Sequence, residues 1–220
     1  MAERATSRLR RVLFGVLIGL VCSAGLALST IARSLRPAAP PPVIATLPDF
    51  HLVDHDGHPL AAADLDGKLW VVDFFFARCT SICPTLIERM HDVERWAGRH
   101  PDVEAKLGLL SITVDPEHDT PAALADYARA HAVKSPRFRL ATGEAKPVLD
   151  VISRGFKIAV GTPRLDDTGR LDILHGGHLV VVDGKRRIRG YYDGDADGLR
   201  KLEADLVTLA GEPAGAAAPR

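Results

Sequence analysis

The chain has 220 residues, 46% hydrophobic and 25% charged, enough for one domain with a substantial core plus an appendage. Formal charge is zero overall but unevenly spread: the first 36 residues hold six Arg and one Glu, whereas from Pro37 onward 22 Lys and Arg face 27 Asp and Glu. A mildly acidic domain without a basic stripe excludes nucleic acid as an expected partner, and three cysteines are too few for a disulfide-built secreted scaffold.

The first feature in chain order is "VLFGVLIGLVCSAGLALSTIA", residues 12–32, a run of 21 residues without a charge. As a helix it spans roughly 30 Å, the hydrocarbon thickness of a bilayer. Arg4, Arg8, Arg10 and Arg11 precede it, and Arg33 and Arg36 follow. That bias predicts residues 1–11 in the cytoplasm and everything beyond the span on the far side. A cleaved signal peptide is the rival, but its apolar region is usually shorter, about 7–15 residues. Cys22 sits inside the span, where it reads as a small residue of a membrane helix. Residues 33–45 form a Pro-rich spacer, which favours extended backbone over helix. The domain is expected over 46–210, and "GEPAGAAAPR" at 211–220 is a low-complexity tail expected to be disordered.

Within the domain, short apolar runs alternate with amphipathic stretches. "LPDFHLVDHDGHPL" predicts a strand pair turned at Asp56-Gly57. "KLWVVDFFF" is continuous and apolar, as a strand buried on both faces would be. Pro84 then suits the first turn of a helix, with Leu86, Ile87, Met90, Val93 and Trp96 at helical spacing. "KLGLLSITV" is a second buried strand, and "DTPAALADYARAHAV" a helix with Asp119 or Thr120 as N-cap and Pro121 just inside. "RFRLAT" is a strand and "EAKPVLDVISRGF" mostly helix. "HLVVVDGKRRIRGYY" is two strands turned at Asp183-Gly184, and a last helix covers about 196–209. The alternation predicts an α/β sandwich with a mixed central sheet.

Cys79 and Cys83 fall where the first long strand hands over to a helix, at the carboxyl end of the sheet, where open α/β folds place their sites. A structural disulfide, a redox dithiol and a metal-ligand pair all fit their spacing. On a helix, residues four apart share a face with Cβ atoms about 5–6 Å apart, so both sulfurs could converge on one ion at roughly 2.3 Å, a zinc–thiolate length. Thiolates suit soft Cu(I), and an added imidazole makes a three-coordinate site that Cu(II) also occupies. The helix terminus is expected to lower the Cys83 thiol pKa, which serves metal binding and disulfide exchange alike.

"VVDFFF" followed by C-x-x-x-C-P resembles the thioredoxin-like fold and, more narrowly, the Sco/SenC family of membrane-anchored copper proteins that assemble cytochrome c oxidase. "FARCTSICPTL" has that family's cysteine spacing, "ITVDPEHDTP" is similar to its V-D-P-E-x-D-T-P stretch, and His175 precedes the last strand pair where the family keeps its third ligand. The likeness covers about 46–209. It implies a thioredoxin-like sandwich behind one N-terminal transmembrane helix, with one copper ion, Cu(I) or Cu(II), held by Cys79, Cys83 and His175. The implied acceptor is a cytochrome c oxidase copper-site subunit or another copper enzyme. The implied location is the bacterial cytoplasmic membrane, with a single pass and the soluble domain facing the periplasm. In one departure, Leu174 stands where the family has Asp before the ligand histidine, and Gly176 and Gly177 follow; an Asp there could orient the imidazole.

Two functions follow from the same residues. A copper chaperone would pass its ion by ligand exchange; a thiol–disulfide oxidoreductase would use Cys79 and Cys83 as its redox pair to keep the oxidase cysteines reduced. Oxidoreductases of this fold usually carry a cis-Pro before the strand that here follows His175, and no Pro lies between Leu165 and Gly190, which favours copper. His178 competes with His175 but reads as a strand-edge residue. His51, His55 and His58 straddle the hairpin and read as solvated surface. Asp115, Glu117 and Asp119 could support the site or dock a partner, and Asp119 is expected simply to cap the helix that follows it.

Overall fold

The computed structural model describes residues 39–79, 82–165, 171–173 and 177–212, together with Ser23. Apart from Ser23, the expected membrane span therefore lies outside the described residues, as do the tail from 213 and His175. Among the described residues no helix is long and apolar enough to cross a membrane.

Ten strands form. They are β1 (Ala45–Thr46), β2 (His51–Asp54), β3 (Pro59–Ala61), β4 (Leu69–Phe75), β5 (Leu107–Thr113), β6 (Phe138–Thr142), β7 (Arg164–Leu165), β8 (Leu171–Asp172), β9 (His178–Val182) and β10 (Arg187–Asp193). The helices are α1 (Cys83–Ala97), the single turn α2 (Pro101–Glu104), α3 (Pro121–Ala130), α4 (Ala145–Asp150) and α5 (Ala196–Ala210). Eight strands make one mixed sheet in the order β1-β10-β9-β4-β5-β6-β2-β3, and β7 pairs with β8 separately. β4, β5 and β6 run parallel, while β9 pairs antiparallel with β4 and β2 antiparallel with β6.

The centre of the sheet follows from composition. All seven residues of β4 and all seven of β5 are buried, as parallel strands covered on both faces must be. Helix α1 buries Cys83, Leu86, Ile87, Met90, Val93 and Ala97, a single face at the 3.6-residue period. It packs on β4 and β5 alongside α5, while α3 packs on β6. The β2–β3 turn forms at the Asp-Gly pair, with Gly57 at φ +82, a conformation that favours glycine. The helix expected over residues 144–156 narrows to α4 and continues as a wider π-turn over Val151–Gly155.

At the pole opposite the cysteines, one buried guanidinium gathers three chain segments. Arg189, 4% exposed, donates to the Pro41 carbonyl (3.0 and 2.7 Å), to Asp183 (2.8 Å) and to both oxygens of Glu212 (3.1 and 3.0 Å). The fork of five donors suits such convergence. Against the opposing effect of its burial, Arg187, which also donates to it at 2.8 Å, and Arg189 hold the Asp183 carboxyl below the usual range.

Packing at the sheet centre is close enough to dictate a residue. Trp70 and Gly108 are partners across β4 and β5, and a Cβ on Gly108 would lie 2.6 Å from the indole ring. The indole is itself fixed by its N–H donating to the Leu65 carbonyl at 3.1 Å. Gly108→Ala is expected to cost about 1–3 kcal/mol in urea unfolding; unchanged stability would show that the ring moves aside freely.

Candidate metal and thiol centre

Chain geometry places the two cysteines before their chemistry is considered. β4 ends at Phe75, the backbone turns so that the Cys79 N–H donates to the Phe76 carbonyl at 3.0 Å, and α1 begins at Cys83. Helix N-termini leave N–H groups without intrahelical partners. Here Ile82 is the N-cap and its side chain supplies no acceptor, and Pro84 has no N–H to satisfy. The Cys83 N–H instead points at Cys79 Sγ, 3.4 Å away. The sulfur does the work a capping oxygen does elsewhere.

Both cysteines are thiols rather than a disulfide, and both are buried: Cys79 is 6% exposed and Cys83 fully enclosed. The expectation of a lowered Cys83 pKa is corrected. The hydrogen bond between the two side chains and then burial push the Cys83 thiol far up, because the neutral S–H serves as donor and the thiolate would lose solvent.

Three buried side-chain atoms in the described residues, Asp73 Oδ1, Ser111 Oγ and Tyr127 Oη, make no hydrogen bond of good geometry, though Ser111 is near enough to Asp73 to oppose in part the effect of burial on its carboxyl. Asp73 and Ser111 are partners across β4 and β5, and the Tyr127 ring packs on Phe75 with centroids 5.0 Å apart. They form the polar floor beneath the dithiol. A charge on Asp73 opposes ionisation of Cys83, and burial, followed by charges on Cys83, Asp73 and Cys79, pushes the Tyr127 phenol up. Burial lifts the Asp73 carboxyl to about 7.

The stretch "VDPEHDTP" folds over the same corner. Asp115 is held by Arg78 (2.7 Å) and by His118 (2.8 Å), and its own N–H donates to Thr113 Oγ1 at 2.9 Å. Asp119, 1% exposed, is not the cap of α3: Thr120 fills that role, accepting the Ala123 N–H at 3.2 Å. Asp119 turns inward. Its Oδ2 accepts the Ala77 N–H at 2.9 Å and the Thr113 hydroxyl at 2.5 Å. Burial pushes its carboxyl up, with the Thr113 hydrogen bond opposing.

The histidines separate clearly. His178 is half-exposed at the start of β9, with Nδ1 3.0 Å from the Asp193 carboxylate, so it is a strand-edge residue with a partner of its own. His51 and His58 are exposed. His55 departs from the solvated reading, for its side chain is 12% exposed and its Nδ1 takes the Leu140 N–H at 3.2 Å. His175 lies outside the described residues. Gly177, two positions on, lies against the dithiol loop: a Cβ there would be 2.8 Å from Ile82 Cδ1. Among the described residues no three His, Cys, Asp or Glu side chains gather closely enough to hold a metal.

Two thiols at a strand-to-helix corner of a mixed sheet define a thioredoxin-like protein, and known structures agree on the fold. ScoI of Bradyrhizobium japonicum with copper bound aligns with TM-score 0.62 and 22% identity over 75% of this chain and 99% of that one. BsSco, a member of the Sco family of cytochrome c oxidase assembly proteins with a disulfide switch, aligns with TM-score 0.68 and 20% identity over 79% and 99%. In sequence, an SCO2-like protein of Rickettsia conorii is 31% identical over 150 residues, 66% of this chain and 69% of that one. The profile of the SCO1/SenC family matches residues 39–210. The chain belongs to that family.

The buried Asp73 gives the domain a pH signature. An unfolded carboxyl releases its proton near 3.8 and the folded one near 7. Its stabilising contribution is therefore full below about pH 3.8 and is lost as pH rises through 7. Asp73→Asn is expected to remove this loss, gaining on the order of 4 kcal/mol over the wild type at pH 8 and almost nothing at pH 4 in urea unfolding. A difference that does not change with pH would contradict the assignment.

Proposed function

We propose that the chain is a copper chaperone that holds one copper ion through Cys79, Cys83 and His175 and hands it to a copper centre of a respiratory oxidase during assembly. The observation that carries this is the pair of thiols side by side at the head of α1, in a chain of the SCO1/SenC family. Copper is bound in ScoI of Bradyrhizobium japonicum, and BsSco belongs to a family of cytochrome c oxidase assembly proteins. Two soft sulfurs favour Cu(I), and an imidazole nitrogen keeps Cu(II) within reach. The ion leaves by stepwise exchange: an acceptor cysteine displaces one ligand at a time, so that donor and acceptor share the metal and no electron is transferred.

The same proposal covers the rest of the chain. Residues 12–32 anchor it in the cytoplasmic membrane of a bacterium, and residues 1–11 stay in the cytoplasm. Residues 33–39 are a spacer, and the copper-binding domain, which takes in Pro41 and Glu212 through Arg189, faces the periplasm. The support is the uncharged 21-residue run and the placement of the arginines around it.

A second function rests on the same corner. Cys79 and Cys83 are thiols close enough to hydrogen-bond, so they can reduce an acceptor's disulfide. One thiolate attacks to form a mixed disulfide, the other releases the acceptor as two thiols, and this chain's pair is left oxidised.

Titration of the reduced chain with Cu(I) against a competing chelator tests the copper reading. One equivalent is expected to bind, with binding lost in Cys79→Ser and weakened about tenfold or more in His175→Ala, while His178→Ala stays at wild-type affinity. Binding that all three variants retain would overturn the site.

A further inference from the structure

The Ala77 N–H, the Thr113 hydroxyl and the Asp119 carboxylate meet at one oxygen. Ala77 belongs to the turn whose last residue is Cys79, closed by the Cys79 N–H on the Phe76 carbonyl. Thr113 is the last residue of β5, and Asp119 stands just before α3. Asp119 Oδ2 thus ties the turn that presents Cys79 to β5. Thr113 passes the restraint on, since its oxygen accepts the Asp115 N–H while Asp115 grips Arg78, the neighbour of Cys79. All three acceptor groups are almost fully withdrawn from water: Thr113 0%, Asp115 6% and Asp119 1% exposed. Such hydrogen bonds to a carboxylate are strong and rarely exchange with solvent.

We infer that Asp119 is a positioning residue for the Cys79–Cys83 pair: its carboxylate clasps the turn before Cys79 and sets how that sulfur faces Cys83. The inference deepens the proposed function and rests on its premise that Cys79 and Cys83 are the working pair. Three observations converge on it. The Ala77 bond spans 42 positions in sequence, so it is a tertiary restraint rather than a local cap. The cap of α3 is already supplied by Thr120, so Asp119 is not needed there. The sulfur being positioned is itself part of the local structure, since Cys79 Sγ receives the Cys83 N–H at 3.4 Å; a small rotation of the turn breaks that contact and changes the distance between the two thiols. An orienting hydrogen bond of this kind typically alters metal affinity by about 10–100-fold when removed.

The test compares Asp119→Asn, Asp119→Ala and Thr113→Val with the wild type in the full chain. Folding is checked by near-UV circular dichroism. Two quantities are then read: the equilibrium constant of the Cys79–Cys83 dithiol against a glutathione redox buffer, and Cu(I) affinity by chelator competition. Asn keeps an amide oxygen that accepts both bonds, so Asp119→Asn is expected to stay within about threefold of wild type on both. Asp119→Ala is expected to lose about tenfold or more in copper affinity and to move the dithiol equilibrium. Thr113→Val leaves the Ala77 bond in place and is expected to fall between them. A folded Asp119→Ala chain with both constants at wild-type values would overturn the clasp. If that variant does not fold, Asp119→Asn and Thr113→Val decide: identical constants in both and in the wild type overturn it. A wild-type chain that binds no copper would defeat the chaperone function alone, because the dithiol equilibrium reads the clasp without the metal.

Discussion

Strand β4 cannot shift without taking the sheet with it. It pairs parallel with β5 along its whole length and antiparallel with β9 on the other side, and every one of its seven residues is buried. Its carboxyl end is therefore a fixed point in space, and the chain passes from it to α1 over the seven residues 76–82. Whatever Cys79 and Cys83 do is done from that fixed point. β9, antiparallel, begins at the same pole, so Gly177, just before it, lies on the dithiol side, against Ile82.

The electrostatics of the corner favour neutral thiols in the absence of a metal. Cys83 is enclosed, hydrogen-bonded to its neighbour and set above a floor that holds a buried carboxyl. A soft cation would change that balance by bonding to both sulfurs as the two thiol protons leave.

Much of this was legible in the sequence. The strand-to-helix position of Cys79 and Cys83, the Pro84 start of α1, the two Asp-Gly hairpins and the mixed sheet all appear as read, since each rests on local rules of period, proline geometry and turn chemistry. The failures share one cause. Asp119 precedes Thr-Pro and so carries the local signature of a helix cap, yet its partner Ala77 is 42 residues away, and no local rule sees that far. "VVDFFF" reads as an uninterrupted apolar run, which hides the one thing unusual about it: a carboxylate in a strand buried on both faces. That residue was the available signal for Asp73. The Cys83 pKa was misjudged because the helix terminus is a local feature, whereas burial and the Cys79 partner are not. β1, two residues long, gave no pattern to read.

In the proposed site one copper ion sits on the two sulfurs of the dithiol corner and one imidazole. X-ray absorption at the copper K-edge of the Cu(I)-loaded chain reports the ligand atoms directly. Two sulfur scatterers and one nitrogen, with the nitrogen lost in His175→Ala and retained in His178→Ala, is the predicted result. A shell of nitrogen and oxygen without sulfur would place the metal elsewhere and leave the corner as a dithiol alone.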